Sequence, residues 1–144
     1  MPQTVEQAIA QATFYTDNQA YQLIQLPKQA ITAAAGIIAE IGEPFCALVV
    51  DRAEVSLIIP QEAVEDFAER LPGLSINATA YQLITIDVEL EPELVGFMER
   101  ISATLAKESI SILTYAAFSR DHFFVPQHQF ESALNALKAL QSSL

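Results

Sequence analysis

Four carboxylates fall at every second position, Asp87, Glu89, Glu91 and Glu93, the spacing that sets side chains on one face of a strand. Such a row could collect a hard cation, but calcium needs six to eight oxygens on a folded loop. No Asp-x-Asp-x-Asp-Gly run is present, so the row reads as a solvated face. Glu93 suits a helix N-terminus, where negative charge is favourable. His122 and His128 stand six apart, and the single cysteine, Cys46, is distant. Without a His-x-x-x-His pair they make no zinc set, so no metal is expected. Cys46 lies in the apolar run Phe45 to Val50 and reads as a small buried hydrophobe. The serines lack a glycine-flanked elbow, and the four glycines form no phosphate loop. Catalysis and cofactors therefore have no support in these residues, and the chain is read as a non-enzyme.

Binding has more support. A helix opening near Gly96 would offer unpaired N–H groups and the positive end of its dipole, which suits a carboxylate. Gly96 has no side chain to obstruct a ligand there, or it merely lets the helix pack closely on a strand.

The bulk properties limit the partners. Of 144 residues, 18 are acidic and 7 basic, a net charge of −11. Phosphate backbones require clustered Lys and Arg, so nucleic acid and anionic membranes are not expected partners. A single cysteine excludes an internal disulfide and fits a reducing compartment. The first residues show neither a basic nor an apolar signal region, and no apolar run is long enough to span a bilayer. A cytoplasmic location is expected.

The elements that must position these groups repeat. Tyr-Gln-Leu-Ile stands at Tyr21–Ile24 and again, 60 residues on, at Tyr81–Ile84. Leu57-Ile58-Ile59-Pro60-Gln61 returns, 66 residues on, as Phe123-Phe124-Val125-Pro126-Gln127. One supersecondary unit is thus built twice, the later copy carrying about six extra residues in its middle.

In the first copy the pattern predicts a strand at Tyr21–Leu26, a helix from about Gln29 to Ile41, strands at Phe45–Asp51 and Glu54–Ile59, and a helix opened by Pro60. Leu74–Ala80 leads across as a connector or short edge strand. The second copy reads as a strand at Tyr81–Leu90, a helix from about Glu93 to Lys107, strands at Ser109–Tyr115 and Asp121–Val125, and a helix from Pro126 to about Gln141. Residues 1–18 form a leader outside the repeat, with a short helix capped by Thr4 and Gln7. Residues 19–78 and 79–144 are the two units. Right-handed crossovers place both helices of each unit on one face of an antiparallel sheet. The fold class is α+β, two ferredoxin-like units in tandem, with the closing strand of each unassigned.

Two motifs carry a family resemblance. Val88-Glu89-Leu90-Glu91-Pro92-Glu93-Leu94-Val95-Gly96-Phe97, and the run Ile110 to Val125, in which an Ile-Ser-Ile strand leads through Thr-Tyr to an apolar strand ending in valine, resemble the ACT domain. The likeness is to the tandem proteins of the CASTOR type and their small bacterial members. It covers Ile86–Leu137 well and the first half weakly, through Leu26-Pro27 and Glu54–Ile59. The resemblance implies βαββαβ (ACT) units that bind a small-molecule effector, such as an amino acid, at an interface between units. It places ligand near Glu93, Leu94, Val95, Gly96 and Phe97, facing the segment Leu113–Asp121 with Thr114, Ala116, Ala117 and Asp121. Asp121 stands at the position of the family's aspartate, where it could hold an ammonium group through a charge-assisted hydrogen bond or bond its own backbone beside a turn. It further implies a regulatory homodimer. Ala116-Ala117 stand where relatives carry Ser-Thr, removing two hydroxyls. That departure favours the competing reading, a ligand-free protein–protein interaction module on the same fold.

Overall fold

The computed structural model describes residues 2–42 and 44–144. In chain order the elements are α1 (Val5–Gln11), β1 (Thr13–Tyr15), β2 (Tyr21–Pro27), α2 (Ile31–Ile41), β3 (Ala47–Val50) and β4 (Glu54–Pro60). There follow α3 (Gln61–Phe67), β5 (Ser75–Asp87), α4 (Phe97–Lys107), β6 (Leu113–Ala116), β7 (Asp121–Pro126) and α5 (Phe130–Ser142). They gather into two compact units, one of Asp17–Tyr81 and one of Met1–Thr16 with Gln82–Leu144.

In the first unit the strand order is β3-β4-β2-β5. β2 pairs antiparallel with β4 from Tyr21↔Pro60 to Pro27↔Glu54, and β3 pairs antiparallel with β4. The start of β5 closes the sheet against β2, with Tyr21↔Tyr81 and Gln25↔Ser75 in register. Alternate residues of β2 and β4, among them Ile24, Leu26, Val55, Leu57 and Ile59, point to one face. There they form a buried core with Ala34 and Ile37 of α2 and Val64 of α3. The closing strand flanks the opening one, which is the ferredoxin-like order.

The second unit has the same strand order with a permuted connection: β5 leads to β7 and β6 on one side and pairs on the other with β1, from earlier in the chain. The register is Thr13↔Asp87, Phe14↔Ile86 and Tyr15↔Thr85. Ile84 and Ile86 of β5, Phe123 and Val125 of β7, Phe97, Ile101 and Leu105 of α4, and Phe130 and Leu137 of α5 share one core. Each such fully buried side chain contributes about 1.5–3 kcal/mol relative to exposure.

Residues 1–18, set apart as a leader by the sequence, take a different place. β1 is the closing strand of the second unit, and α1 packs on α4 and α5 with Ala8 and Ile9 in its core. The Thr4–Gln7 capping box is present, and Gln141 donates from Nε2 to the carbonyls of Ile9 (2.9 Å) and Ala12 (2.7 Å). A pairing across more than 70 positions leaves no local signature, so the sequence left this strand unassigned.

Two further differences shape the site. Leu74–Ala80 and Tyr81–Leu90 merge into the single strand β5, which ends at Asp87. The helix expected from Glu93 opens at Phe97, because Pro92-Glu93 turns and the Leu94 N–H bonds the Glu91 carbonyl at 2.9 Å. Gly96 then takes φ +95°, which no right-handed helix can include.

The six extra residues now have an address. Pro27, the last residue of β2, and Asp87, the last of β5, are 60 apart, whereas α2 (Ile31–Ile41) and α4 (Phe97–Lys107) are offset by 66. Three residues separate strand from helix in the first unit, 28–30, and nine do so in the second, 88–96. The insertion lies wholly in that connection.

Candidate functional site

The inserted connection and the β6–β7 hairpin enclose a cavity of about 360 Å³, within the range that takes a small metabolite. Leu90, Glu91, Pro92 and Leu94 of the insertion form one wall, and Gly96 to Glu99 at the start of α4 form the floor. Residues Ala117 to Asp121 of the hairpin stand opposite. The hairpin is set by the pair Ala116↔Asp121 and by the Ala117 N–H donating to the Arg120 carbonyl at 3.0 Å.

The floor is an uncapped helix start. The Arg100 N–H makes the first helical bond, to the Gly96 carbonyl at 3.1 Å. The amides of Phe97, Met98 and Glu99 come before it in the first turn, and Gly96 has no side chain to cap them. Only Val5 Cγ2, at 3.8 Å, would meet a Cβ added at Gly96. Close packing on a strand therefore does not explain this glycine; its positive φ does.

Asp121 lines the same cavity half-buried, and burial pushes its carboxyl up from the ordinary 3.8, partly offset by His122. Among the described residues no backbone hydrogen bond lowers it. The contrast is Asp51 in the first unit's hairpin, whose Oδ1 accepts from the N–H of Ala53 (2.7 Å) and of Glu54 (2.9 Å). Those bonds hold Asp51 below its usual value. Asp51 bonds its own turn; Asp121 faces the cavity. The position 66 residues before Asp121 is Val55, fully buried, so this carboxylate belongs to the second copy alone.

Glu91, Glu99 and Asp121 face the cavity with one guanidinium, Arg120. Arg120 Nε donates to Asp87 Oδ1 at 2.6 Å and its Nη1 to Ser119 Oγ at 3.1 Å. His122 Nδ1 lies 2.8 Å from Thr85 Oγ1, and burial lowers its pKa. The carboxylates spaced along 87–93 do not share a strand face, since β5 stops at Asp87. Asp87 holds Arg120, and Glu91 Oε2 accepts from the Gln3 N–H at 3.3 Å. Among the described residues no group of His, Cys, Asp and Glu is arranged to hold a metal.

Of the residues expected at the site, Leu94, Gly96, Phe97, Ala117 and Asp121 line the cavity. Glu93 sits exposed in the preceding turn, Val95 stands 87% exposed, and Thr114 and Ala116 lie exposed on β6. The structure adds Leu90, Glu91, Pro92, Met98, Glu99, Phe118, Ser119 and Arg120. Phe118 is fully exposed at the hairpin tip. Leu90 to Pro92 and Phe118 to Arg120 fall within the two motifs that carry the family resemblance, whereas Met98 and Glu99 had no advance signal.

Residues 79–139 match the family model of the ACT domain. None of the curated proteins matches the chain. Among solved structures, a Vibrio cholerae protein of unknown function, described as a possible transport protein, aligns with TM-score 0.71 and 21% identity over 96% of each chain. An Agrobacterium tumefaciens protein aligns with TM-score 0.69 and 18% identity, over 89% of this chain and 87% of that one. The ligand-free regulatory subunit of aspartate kinase from Thermus thermophilus aligns with TM-score 0.60 and 18% identity, over 89% of this chain and 97% of that one. At such identities the likeness is one of fold. Among the described residues no helix is long and apolar enough to cross a membrane.

Proposed function

We propose that this chain, with its ACT-domain match over residues 79–139, is a tandem ACT regulatory module of the CASTOR type. It binds an amino acid in the cavity of its second unit and has no catalytic role. The observation that carries the reading is the six-residue insertion, which converts a strand-to-helix connection into a walled cavity over an uncapped helix start. The ligand carboxylate meets the Phe97–Glu99 amides, its ammonium meets Asp121, and its side chain lies along Leu94, Phe97 and Met98. Fold likeness to an aspartate kinase regulatory subunit supports a role in regulation. Val95 and Phe118, 87% and fully exposed at the rim, favour a homodimer that covers them. The effector then acts by stabilising one packing of the assembly, and the half-buried Cys46 fits a cytoplasmic setting.

A thermal-shift panel of the twenty amino acids tests this. A ligand at about 100 times its dissociation constant adds roughly 2.7 kcal/mol, a shift of several degrees at this size. A flat panel would favour the ligand-free interaction module instead.

The response depends on pH with a definite sign. Burial raises the Asp121 carboxyl, whereas a bound ammonium favours its ionised form. Affinity is therefore full above the raised value and falls as pH drops through it, with proton release on binding. Without ligand, the raised value disfavours the folded chain above it and ceases to do so below 3.8. Asp121→Asn should thus raise Tm slightly at pH 7, lose that advantage toward pH 4, and lose the ligand shift throughout. Melting scans at both pH values check all three outcomes.

A further inference from the structure

We propose that Gln3 is a positioning residue for the cavity, holding the inserted 88–96 connection in place from the N-terminal segment of the chain. The proposal rests on the reading of that cavity as a ligand site and assigns it an internal control. The insertion has few bonds of its own. Val88 N–H reaches back to the Ile86 carbonyl at 3.0 Å, Leu94 N–H bonds Glu91, and Leu90 N–H touches the Ser119 carbonyl only at 3.4 Å.

Gln3 supplies what the insertion lacks. Its Nε2 donates to the Glu89 carbonyl at 3.0 Å, its Oε1 accepts from the Glu91 N–H at 3.1 Å, and its own N–H donates to Glu91 Oε2 at 3.3 Å. One primary amide, with a donor and an acceptor side by side, thereby imitates a strand partner for residues 89–91. Glu91, Pro92 and Leu94 of the cavity wall lie immediately after that grip.

The grip has a rigid mounting. Thr4, the next residue, caps α1, and α1 is anchored by fully buried Ala8 and Ile9 and by Gln141. Glu6 Oε2 lies 3.3 Å from Arg100 Nη1 on α4, and Arg100 bonds the Gly96 carbonyl. The N-terminal segment therefore holds both sides of the insertion, the 89–91 stretch and the start of α4. Docking of this segment and occupancy of the cavity stabilise the same loop, so each strengthens the other. A modification or partner that lifts residues 2–6 would weaken the site.

Hydrogen–deuterium exchange on the full chain tests this without any ligand. In Gln3→Ala, exchange of Glu91 and of the 88–96 amides should rise roughly tenfold, as expected when local opening loses a few hydrogen bonds. Amides of β6, β7 and α5 should stay as they are. Gln3→Glu keeps the acceptor for the Glu91 N–H but loses the donor to Glu89 and adds a charge beside Glu91, so it should also loosen the loop. Gln7→Ala, which loses only the bond from the Thr4 N–H to Gln7 Oε1 and keeps the Thr4 hydroxyl cap and the buried anchors of α1, should leave 88–96 closed. Unchanged loop exchange in Gln3→Ala, or a uniform rise across the unit, would overturn the proposal. The amino-acid panel supplies the second arm. Loss of a wild-type thermal shift in Gln3→Ala supports the positioning role, and a shift surviving at full size overturns it. If the wild-type chain responds to no amino acid, the ligand reading has failed, and loop exchange alone decides for or against the grip.

Discussion

Replacing Phe123 with alanine should lower the unfolding free energy by about 3–5 kcal/mol, as expected for a large aromatic removed from a core that cannot collapse around the void. Phe123 is completely buried at the centre of β7, on the face that meets Phe97, Ile101 and Leu137. Since small domains are stable by only about 5–15 kcal/mol in total, a large share of the margin would go. Urea unfolding checks this, with Phe118→Ala as the companion. Phe118 is fully exposed, so its removal should change stability by less than about 0.5 kcal/mol. Two phenylalanines five residues apart thus differ in burial and in expected cost. A loss below about 1 kcal/mol for Phe123→Ala would mean that this core is not packed as described.

Gly96→Trp should abolish amino-acid binding while leaving the chain folded. A non-glycine residue at φ +95° is strained by about 1–3 kcal/mol, to be relieved by moving the start of α4. That movement turns the Phe97–Glu99 amides away from their common direction, and an indole would also occupy the floor of the cavity. Gly96→Ala separates the two effects, because a methyl group would find only Val5 Cγ2, at 3.8 Å. It should carry the conformational cost and weaken binding roughly tenfold, the result of losing about 1.4 kcal/mol. Calorimetric titration with whichever amino acid shifts the wild-type melt measures both variants. Undiminished binding in Gly96→Trp would show that the ligand sits elsewhere.

Local grammar was largely legible before any coordinates. The Thr4–Gln7 capping box, the strands at Tyr21–Leu26 and Glu54–Ile59 and the helix ending at Lys107 all follow from patterns within a few residues. The repeat also reported an insertion of about six residues. Its position was hidden because Leu94 and Val95 continue the apolar pattern of α4 backward, past a glycine whose φ no pattern reveals. Hence Glu93 was set on the helix, and the cavity wall went unseen. The role of β1 was out of reach for another reason. Thr13 and Asp87 meet only through tertiary pairing, and an extended Thr-Phe-Tyr run does not say which strand it joins. On the cavity lining, Gly96 was singled out by the chemistry of helix starts and Asp121 by the family resemblance. Arg120 and Phe118 were not, since neither has a spacing that marks it.

The most direct test is a titration of the ¹⁵N-labelled chain, followed by amide NMR, with the amino acid that gives the largest thermal shift. The expected result is saturable movement of the Phe97, Met98, Glu99 and Asp121 resonances, with the amides of residues 17–74 unmoved. Movement confined to residues 17–74, or a spectrum indifferent to all twenty amino acids, would contradict the claim that the insertion after Asp87 builds the ligand site.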